Sequence, residues 1–371
     1  MDTQHIATDT WRIDHLARHA PATDDLPELA TWLQCNGAAH LSPIERIELA
    51  ERLITRRRFL IGAGVLALGM ISGCGSGAPA SIPTATVAAT RTVRHAYGTT
   101  DVPLNPQRVI ALDAFFTLTP LVELGVPVIG SVSLGSPAVY PGLSAQESAN
   151  IVSVGNGRLG SLETVAALKP DLIIGIDFVE PPYEELSQIA PTVIIPTALD
   201  WKEQHRALGE ATGTYERAER GIAAYEERVA LLRSRIPDLT VSYLSLIGET
   251  PLLYLQGPKA WAPARILADV GVQRPADEIV SDDTFFKALS LEVLPELKGD
   301  VLLYSADYPG ISPEEISSVR SLLANPIWQQ IPAVRAGRAF QVTGAHWETF
   351  GGLRSAQGVL DDIERLLLPL A

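Results

Sequence analysis

The sequence predicts an α/β fold with two lobes, and three observations lead to it. The chain has 371 residues, which is enough for two or three domains. Strand-like runs such as residues 109–112 and 172–176 alternate with helix-like runs such as residues 161–168, as is typical of parallel βαβ units. After a long helical pattern the alternation resumes at residue 241, and it ends in a helix near residues 355–368.

The longest helical pattern covers residues 215–235 and separates the two alternating sets. It is rich in Glu, Arg and Ala, and Pro237 ends it. A helix of that length reaches about 30 Å, the diameter of a small domain. We therefore predict a first α/β lobe over residues 92–212, an interlobe helix over residues 213–236, and a second α/β lobe over residues 237–371.

Both lobes contain the same short sequence unit. Ser-Leu-Glu begins at Ser161 and again at Ser290, and an aspartate follows each serine after ten residues. Each unit is typical of an N-cap serine, a short amphipathic helix and a buried strand, so pseudo-twofold symmetry is expected. A glutamate in a first turn ordinarily stabilises the helix dipole. The matched pair, Glu163 and Glu292, would also suit a partner that is itself twofold symmetric.

The first part of the chain has the features of an export signal. A threonine, the pair Arg56 and Arg57, a third arginine and Phe-Leu resemble the twin-arginine motif. The apolar run at residues 59–72 has fourteen residues. Such a run spans about 21 Å, less than the roughly 30 Å of a bilayer core, so it fits a signal peptide better than a membrane span.

A possible lipid anchor follows this run. Ile-Ser-Gly-Cys, ending at Cys74, resembles the bacterial lipobox, whose cysteine is lipidated. We therefore expect a signal peptide over residues 55–73 and a flexible tether over residues 74–91. Residues 1–54 form an extension of unknown role: either translation starts at a non-ATG codon near Leu53, or this segment is a small cytoplasmic helical extension.

Composition disfavours several classes of protein. With 29 Lys and Arg against 43 Asp and Glu, the net charge is −14, which is unsuited to nucleic acid. Two cysteines cannot form a disulfide framework or a four-thiolate zinc site. Of the seven histidines, only His95, His205 and His346 follow Cys74, so no direct metal site is expected.

From residue 92 to the C-terminus the chain resembles the substrate-binding lipoproteins of iron-siderophore ABC transporters, a group that also includes cobalamin- and haem-binding proteins. Each matching stretch is short and inexact on its own, but together they occur in the same order along the chain as in that family. They are residues 97–103, 106–113, 124–126, 162–173, 291–292, 326–328, 333–338 and the region of Trp347.

The resemblance implies a class III periplasmic binding protein. Such a protein has two Rossmann-like lobes joined by one long rigid helix, a ligand cleft between them and little hinge motion. It would be no enzyme and would have no intrinsic cofactor, since its ligand carries the Fe(III). It would be a monomer, anchored to the outer face of the bacterial cytoplasmic membrane. By motif position, Glu163 and Glu292 would dock onto arginine pockets of a permease dimer that works with an ATPase.

Candidate ligand-binding residues are cations and aromatics in loops at strand ends. Arginine pairs with the oxygens of an anionic chelate, and aromatic rings add stacking and cation–π contacts. Arg158 is the first choice among them, since it lies between a strand and the helix that begins after Ser161. The aromatic candidates are Phe115, Trp261, Tyr304, Tyr308 and Trp347.

A rival interpretation is an exported NAD(P)-dependent oxidoreductase. Residues 155–160, GNGRLG, match G-x-G-x-x-G between a strand and a helix, and Asp177 lies 22 residues after Gly155. Against this, the motif follows the third strand of its lobe rather than the first, and Arg158 would place bulk where a pyrophosphate must approach.

Overall fold

The fold was analysed in a computed structural model that describes residues 89–135, 138–157, 159–179, 181–246, 250–257, 260–282, 284–307, 312–348 and 351–371. Several predicted features lie outside these residues. They are residues 1–54, the arginine pair Arg56 and Arg57, Cys74, nearly all of the tether, and the candidates Arg158 and Tyr308. All of the described residues belong to one compact unit.

The first lobe is built on a parallel sheet. In chain order it contains β1 Thr90–His95, β2 Gly98–Pro103, β3 Val109–Ala111, α1 Leu118–Glu123, β4 Val128–Ser133, α2 Ala145–Ser148, β5 Val152–Asn156, α3 Leu162–Ala167, β6 Leu172–Ile176, α4 Tyr183–Ile189 and β7 Thr192–Ile195. The sheet order is β5-β4-β3-β6-β7, and all neighbours are parallel. The direction of winding therefore reverses between β3 and β6, where ligands bind in open α/β sheets.

Two helices lead into the second lobe, which repeats this strand order. Its elements are α5 Trp201–Thr212, α6 Tyr215–Arg233, β8 Val241–Ser245, β9 Leu252–Tyr254, α7 Ala262–Asp269, β10 Phe286–Ala288, β11 Val301–Ser305, α8 Pro313–Ala324, α9 Pro332–Arg335, β12 Ala339–Val342, α10 Gly344–Trp347 and α11 Leu353–Leu366. The order β10-β9-β8-β11-β12 matches the first sheet position by position, but β9 is antiparallel to both neighbours. The predicted two-lobe α/β fold is confirmed.

Short 3₁₀ turns complete the described elements, and one of them corrects a prediction. They lie at Asp177–Val179, Ala276–Glu278, Leu291–Glu296, Trp328–Gln330 and Leu368–Leu370. The second Ser-Leu-Glu unit was predicted as an amphipathic helix, but Pro295 inside it leaves a 3₁₀ turn, and Ser290 makes no capping hydrogen bond. In the first unit Ser161 Oγ does accept from the Thr164 N–H, at 3.2 Å.

Two helices pack into both lobes: the predicted interlobe helix, which is α6, and the helix before it, α5. The helix α5 begins at a capping box of Asp200 and Glu203 and ends at Gly213, whose φ of 76° suits a glycine. Its first residue, Trp201, lies in the apolar core of the second lobe, whereas Leu208 lies in that of the first. The helix α6 likewise contributes to both cores, so α5 and α6 fix the lobes together by packing.

A polar contact also joins the lobes on another side. The Glu123 carboxylate, at the end of α1, accepts from the backbone N–H of Leu353 at 2.8 Å and of Arg354 at 3.1 Å. The Arg354 guanidinium pairs with both oxygens of Glu147, at 2.7 and 3.1 Å, and donates to the Gly142 carbonyl at 2.6 Å. A carboxylate of the first lobe thus caps α11 of the second.

Among the described residues, no helix is long and apolar enough to cross a membrane.

Candidate functional site

A cavity of about 270 Å³ lies between the lobes, near the lower end of the size range of small-molecule sites. Its walls come from loops of both lobes and from the first turn of α5. The described residues that line it are Phe116, Asp177, Phe178, Thr197, Ala198, Leu199, Asp200, Trp201, Gln204, Ala260, Trp261, Ala262 and Phe285. On the first-lobe side they follow β3, β6 and β7, so the cavity opens at the carboxyl ends of strands where the strand order reverses.

The turn after β3 places one aromatic ring on the wall. Asp113 accepts from the backbone N–H groups of Phe115 and Phe116, at 2.7 and 2.5 Å. Burial raises the pKa of this carboxyl, while these hydrogen bonds oppose the rise. The resulting turn brings Phe116, not the predicted Phe115, among the lining residues.

The turn after β6 contributes a carboxylate and a second ring. One carboxylate oxygen of Asp177 accepts from the backbone N–H of Thr197 at 2.8 Å and from its hydroxyl at 2.6 Å. Because this pairing ties the β6 turn to the end of β7, Asp177 is held at the cavity wall. The next residue, Phe178, leaves 65 % of its surface exposed, so its ring is accessible at the cavity wall.

The floor of the cavity is the first turn of α5. Gln204 Nε2 donates to the Leu199 carbonyl at 2.9 Å. Trp201 is almost fully buried and packs edge-on against Tyr225, with 4.9 Å between ring centroids. Its Nε1 has no hydrogen-bond partner within the described part of the chain. The floor is therefore mainly apolar and rigidly packed.

The wall from the second lobe is aromatic. Trp261 stands at the N-cap position of α7 and stacks on Phe285, with 4.7 Å between the ring centroids and 21° between the planes. Behind it lies Tyr254, at a centroid distance of 5.6 Å. The sequence prediction that Trp261 faces the cleft agrees with this position.

A buried carboxylate holds the rings behind this wall. Tyr254 stacks on Tyr243 at 4.8 Å, and their hydroxyls donate to Glu348 at 3.0 and 3.1 Å. Ser305, at the end of β11, also donates to Glu348. Burial raises the pKa of Glu348, and the hydroxyl donors act in the opposite direction. The network locks the aromatic series that ends at Trp261.

The structure corrects two other predicted ligand contacts. Trp347 is fully buried, lies 4.9 Å from the Tyr243 ring and donates through Nε1 to Asp362 at 2.9 Å, so it belongs to the second-lobe core. Tyr304 packs edge-on against Trp328 at 5.1 Å, within another apolar cluster of that lobe. Neither is among the described lining residues of the cavity.

Phe178, Phe285, Asp177 and Phe116 were not among the ligand-binding residues predicted from the sequence. Phe178 and Asp177 do follow a buried strand, which was the criterion applied to the other candidates. The sequence does not tell which strand ends lie beside the reversal in strand order. A position after a buried strand therefore indicates a cleft residue only once the sheet topology is known.

The glycine motif of the rival interpretation lies in an unsuitable place. It begins in β5, which is an edge strand, and two strands separate β5 from β6. In the dinucleotide-binding motif the acidic residue binds the ribose from the end of the strand next to the glycine turn. Asp177, at the end of β6, therefore cannot bind the ribose of a dinucleotide held by the turn after β5. Gly160 has a packing role, because a Cβ there would lie 2.9 Å from the Val154 carbonyl oxygen.

Glu163 and Glu292 occupy equivalent places in the two lobes. Both are exposed, and they follow β5 and β10, the strands at the same end of each sheet order. A hydrogen bond from the residue's own backbone N–H lowers the pKa of each carboxyl, and Ser161 or Ser290 adds a second bond. Both side chains therefore carry full negative charge at neutral pH.

No set of three or more His, Cys, Asp or Glu side chains within the described residues is arranged to hold a metal ion. His205 on α5 is almost fully buried, and burial lowers its pKa to about 4. It is therefore a neutral residue of the helix packing.

The fold and the cleft together define a protein of two α/β lobes with a cavity between them, the architecture of a two-lobe binding protein. A family model described as periplasmic binding protein matches residues 133–344, more than half of the chain. The chain belongs to this family, whose description is that of a binder, and the oxidoreductase interpretation is set aside.

Curated relatives match over most of their length. The probable siderophore-binding lipoprotein YfiY of Bacillus subtilis is 29% identical over 316 residues, which cover 82% of this chain and 96% of the relative. The achromobactin-binding periplasmic protein of Dickeya dadantii is 29% identical over 271 residues, covering 70% and 86%.

Solved structures share the fold. Staphylococcus aureus SirA complexed with staphyloferrin B superposes with a TM-score of 0.63 at 24% identity, covering 75% of this chain and 98% of that one. The petrobactin-binding protein YclQ of Bacillus subtilis gives a TM-score of 0.62 at 23% identity, with 75% and 99% covered.

Proposed function

We propose that this protein is the substrate-binding component of an ABC importer, which captures a ferric siderophore or a related iron chelate and delivers it to a membrane permease. The observation that carries the proposal is the aromatic cavity between the lobes, at the carboxyl ends of β3, β6 and β7. Rings from both lobes can enclose a bulky chelate whose metal is already coordinated, so the protein needs no metal ligands of its own.

The rigid connection between the lobes suits this role. Two helices pack into both cores, and Glu123 and Arg354 add an interlobe contact. A pre-formed cavity binds with little loss of conformational entropy. The names of the relatives, which include a siderophore-binding lipoprotein and an achromobactin-binding protein, support an iron chelate as ligand.

The proposal includes export and anchoring, which rest on the sequence alone. Arg56 and Arg57 would direct twin-arginine export, and Cys74 would become the lipidated N-terminal residue. The receptor would then be held at the outer face of the cytoplasmic membrane by a short tether. It would act as a monomer on a permease dimer and its ATPase, with Glu163 and Glu292 as the docking carboxylates.

Uptake of radiolabelled ferric chelates by the source bacterium tests this proposal. Deletion of the chain should abolish energy-dependent uptake of one chelate class, and an intact copy should restore it. A copy with Cys74→Ala tests the lipid anchor, because we expect this variant in the soluble envelope fraction instead of the membrane fraction. Unchanged uptake of ferric hydroxamates, catecholates, citrate, haem and corrinoids in the deletion strain would refute the importer role.

A further inference from the structure

We infer that the cleft selects ferric chelates that carry a cationic amine, and that Asp177 is the residue that recognises this amine. The inference rests on the proposed function and goes beyond it, since it assigns a charge class to the ligand and a specificity-determining residue to the protein. It runs against the sequence-based expectation that Arg158 binds an anionic chelate.

The first argument is the charge of the cavity wall. Among the described lining residues, the charged ones are Asp177 and Asp200. Asp200 already has partners, because one oxygen caps α5 through the N–H groups of Lys202 and Glu203, both at 2.9 Å, and the other lies 3.5 Å from Arg265. Within the described residues, the carboxylate of Asp177 has the neutral donors of Thr197 on one oxygen and no others.

The second argument is the absence of a cation beside Asp177 within the described residues: no Lys, Arg or His of that part of the chain forms an ion pair with it. A carboxylate in a partly desolvated cleft attracts a positive group more strongly than it would in bulk water, and it repels an anionic one. An ammonium group on the ligand would supply the missing positive charge.

The third argument is the chemistry of the neighbouring side chains. Phe116 and Phe178 flank the carboxylate on the first-lobe side, and Trp261 and Phe285 face the cavity from the second lobe. Ring faces attract cations and offer nothing to a carboxylate. Aromatic walls combined with a carboxylate that has no cationic partner among the described residues are suited to an organic ammonium ion.

The net charge of the chain from Cys74 onward acts in the same direction at longer range, since 22 Lys and Arg stand against 34 Asp and Glu, a balance of −12. An acidic protein slows the approach of a highly anionic chelate and favours that of a neutral or cationic one. The preference should therefore weaken as salt concentration rises, since the Debye length falls from about 10 Å at 0.1 M to about 3 Å at 1 M.

The test uses two ligands that differ by one charge. One is a linear ferric trihydroxamate that ends in a primary ammonium group, and the other is the same chelate with that amine acetylated. Ferric citrate and a ferric tris-catecholate serve as anionic probes. Tryptophan quenching gives the affinity of the full chain for each. We expect the ammonium form to bind about tenfold more tightly than the acetylated form, as for a charge-assisted hydrogen bond.

Asp177→Asn should remove this preference, because the amide keeps an oxygen for Thr197 but loses the charge. It should weaken binding of the ammonium chelate and leave that of the acetylated chelate unchanged. The matched control is Asp238→Asn, which removes one charge from an exposed residue outside the cavity and should change neither. Asp177→Glu should retain part of the preference.

The possible failures are distinguishable. Equal affinity for the two hydroxamate forms, tighter binding of the anionic probes, or an equal loss for both forms in Asp177→Asn would overturn the inference while the receptor role stands. Binding of none of the four chelates would overturn the inference, and failure with haem and corrinoids as well would refute the proposed function itself.

Discussion

Phe178 illustrates how single residues define the cleft. It follows a strand whose five residues are all buried, yet 65 % of its own surface is exposed. Asp177 immediately before it is held by Thr197, and the Phe178 ring is among the residues that line the cavity. An exposed aromatic ring at a cavity wall can contact a bound ligand.

Truncating this ring should therefore weaken ligand binding. Covering a Phe side chain contributes about 1.5–3 kcal/mol, so we expect Phe178→Ala to lower the affinity for the transported chelate by about tenfold or more. Leu231→Ala is the matched control, since Leu231 is 70 % exposed but lies on α6 outside the cavity. Titration of both variants checks the prediction, and an equal effect of the two would contradict it.

At the scale of single residues, the sequence predicts which residue types follow the strands better than it predicts whether a side chain points into the cleft or into the core. Trp261 is a predicted aromatic candidate that does lie on the cavity wall, at the N-cap of α7, and its contact with a ligand stays a prediction. Trp347 has a similar place after a strand, but α10 turns it into the core. The choice between Phe115 and Phe116 depends on one backbone turn at Asp113, and side-chain periodicity alone cannot decide it.

Among the elements, long buried strands and the interlobe helix were predictable from sequence, and short or irregular ones were not. The strands β6, β7 and β11 are mostly apolar and almost entirely buried, which is the strongest pattern available. The hairpin of β1 and β2 was missed because alternating threonine, arginine and valine gives a weak signal. The three-residue strands β9 and β10 are set by pairing, not by propensity.

The helix α11 shows an element stabilised from outside its own sequence. Gly352 at its N-cap has no side chain, and Glu123 of the other lobe takes over that role. Burial raises the pKa of Glu123 from 4.5 to about 7. The carboxyl group that caps α11 therefore loses its proton near neutral pH, so this contact between the lobes depends on pH.

The stability of this contact should depend on pH in a defined direction. Since the folded pKa lies above the unfolded one, the proton favours the folded state; this contribution is fully present below pH 4.5 and is lost as the pH rises to about 7. We expect the free energy of unfolding of the wild type, minus that of Glu123→Gln, to fall by about 1–3 kcal/mol over this range. Chemical denaturation at several pH values measures it.

Glu184→Gln, at an exposed position on α4, is the control for this difference and should leave the pH profile unchanged. A profile of Glu123→Gln that runs parallel to that of the wild type would show that the carboxyl does not titrate in this range.

At the scale of the whole molecule, the two five-stranded sheets of the described chain share one strand order, and this symmetry places the two exposed glutamates at equivalent positions. Glu163 and Glu292 follow equivalent strands, although the second repeat unit is a 3₁₀ turn and the second sheet is mixed. The repeated Ser-Leu-Glu unit identified this pair from the sequence, because the distance from each serine to the following aspartate is the same in both lobes despite these local differences. How the lobes pack, through α5 as well as α6, could not be read from it, since helix contacts across lobes leave no periodic signal of their own.

Replacing both glutamates should separate capture from delivery. Neither carboxylate lines the cavity, so Glu163→Ala with Glu292→Ala should bind the chelate with normal affinity but support no uptake. The docking site is twofold symmetric in this account, so each single variant should retain part of the uptake. Exposed glutamates outside these positions, such as Glu184, supply the charge-matched control. Full uptake by the double variant would show that the docking assignment is wrong.

The central claim is that the interlobe cavity binds an iron chelate, and tryptophan emission of the purified protein tests it most directly, because Trp261 and Trp201 line that cavity. Titration with ferric siderophores, the same siderophores without iron, and NAD(P)H should give saturable quenching by one ferric chelate class at one site per chain, which Trp261→Phe and Phe178→Ala weaken. Indifference to every ferric chelate together with saturable binding of NAD(P)H would contradict the account.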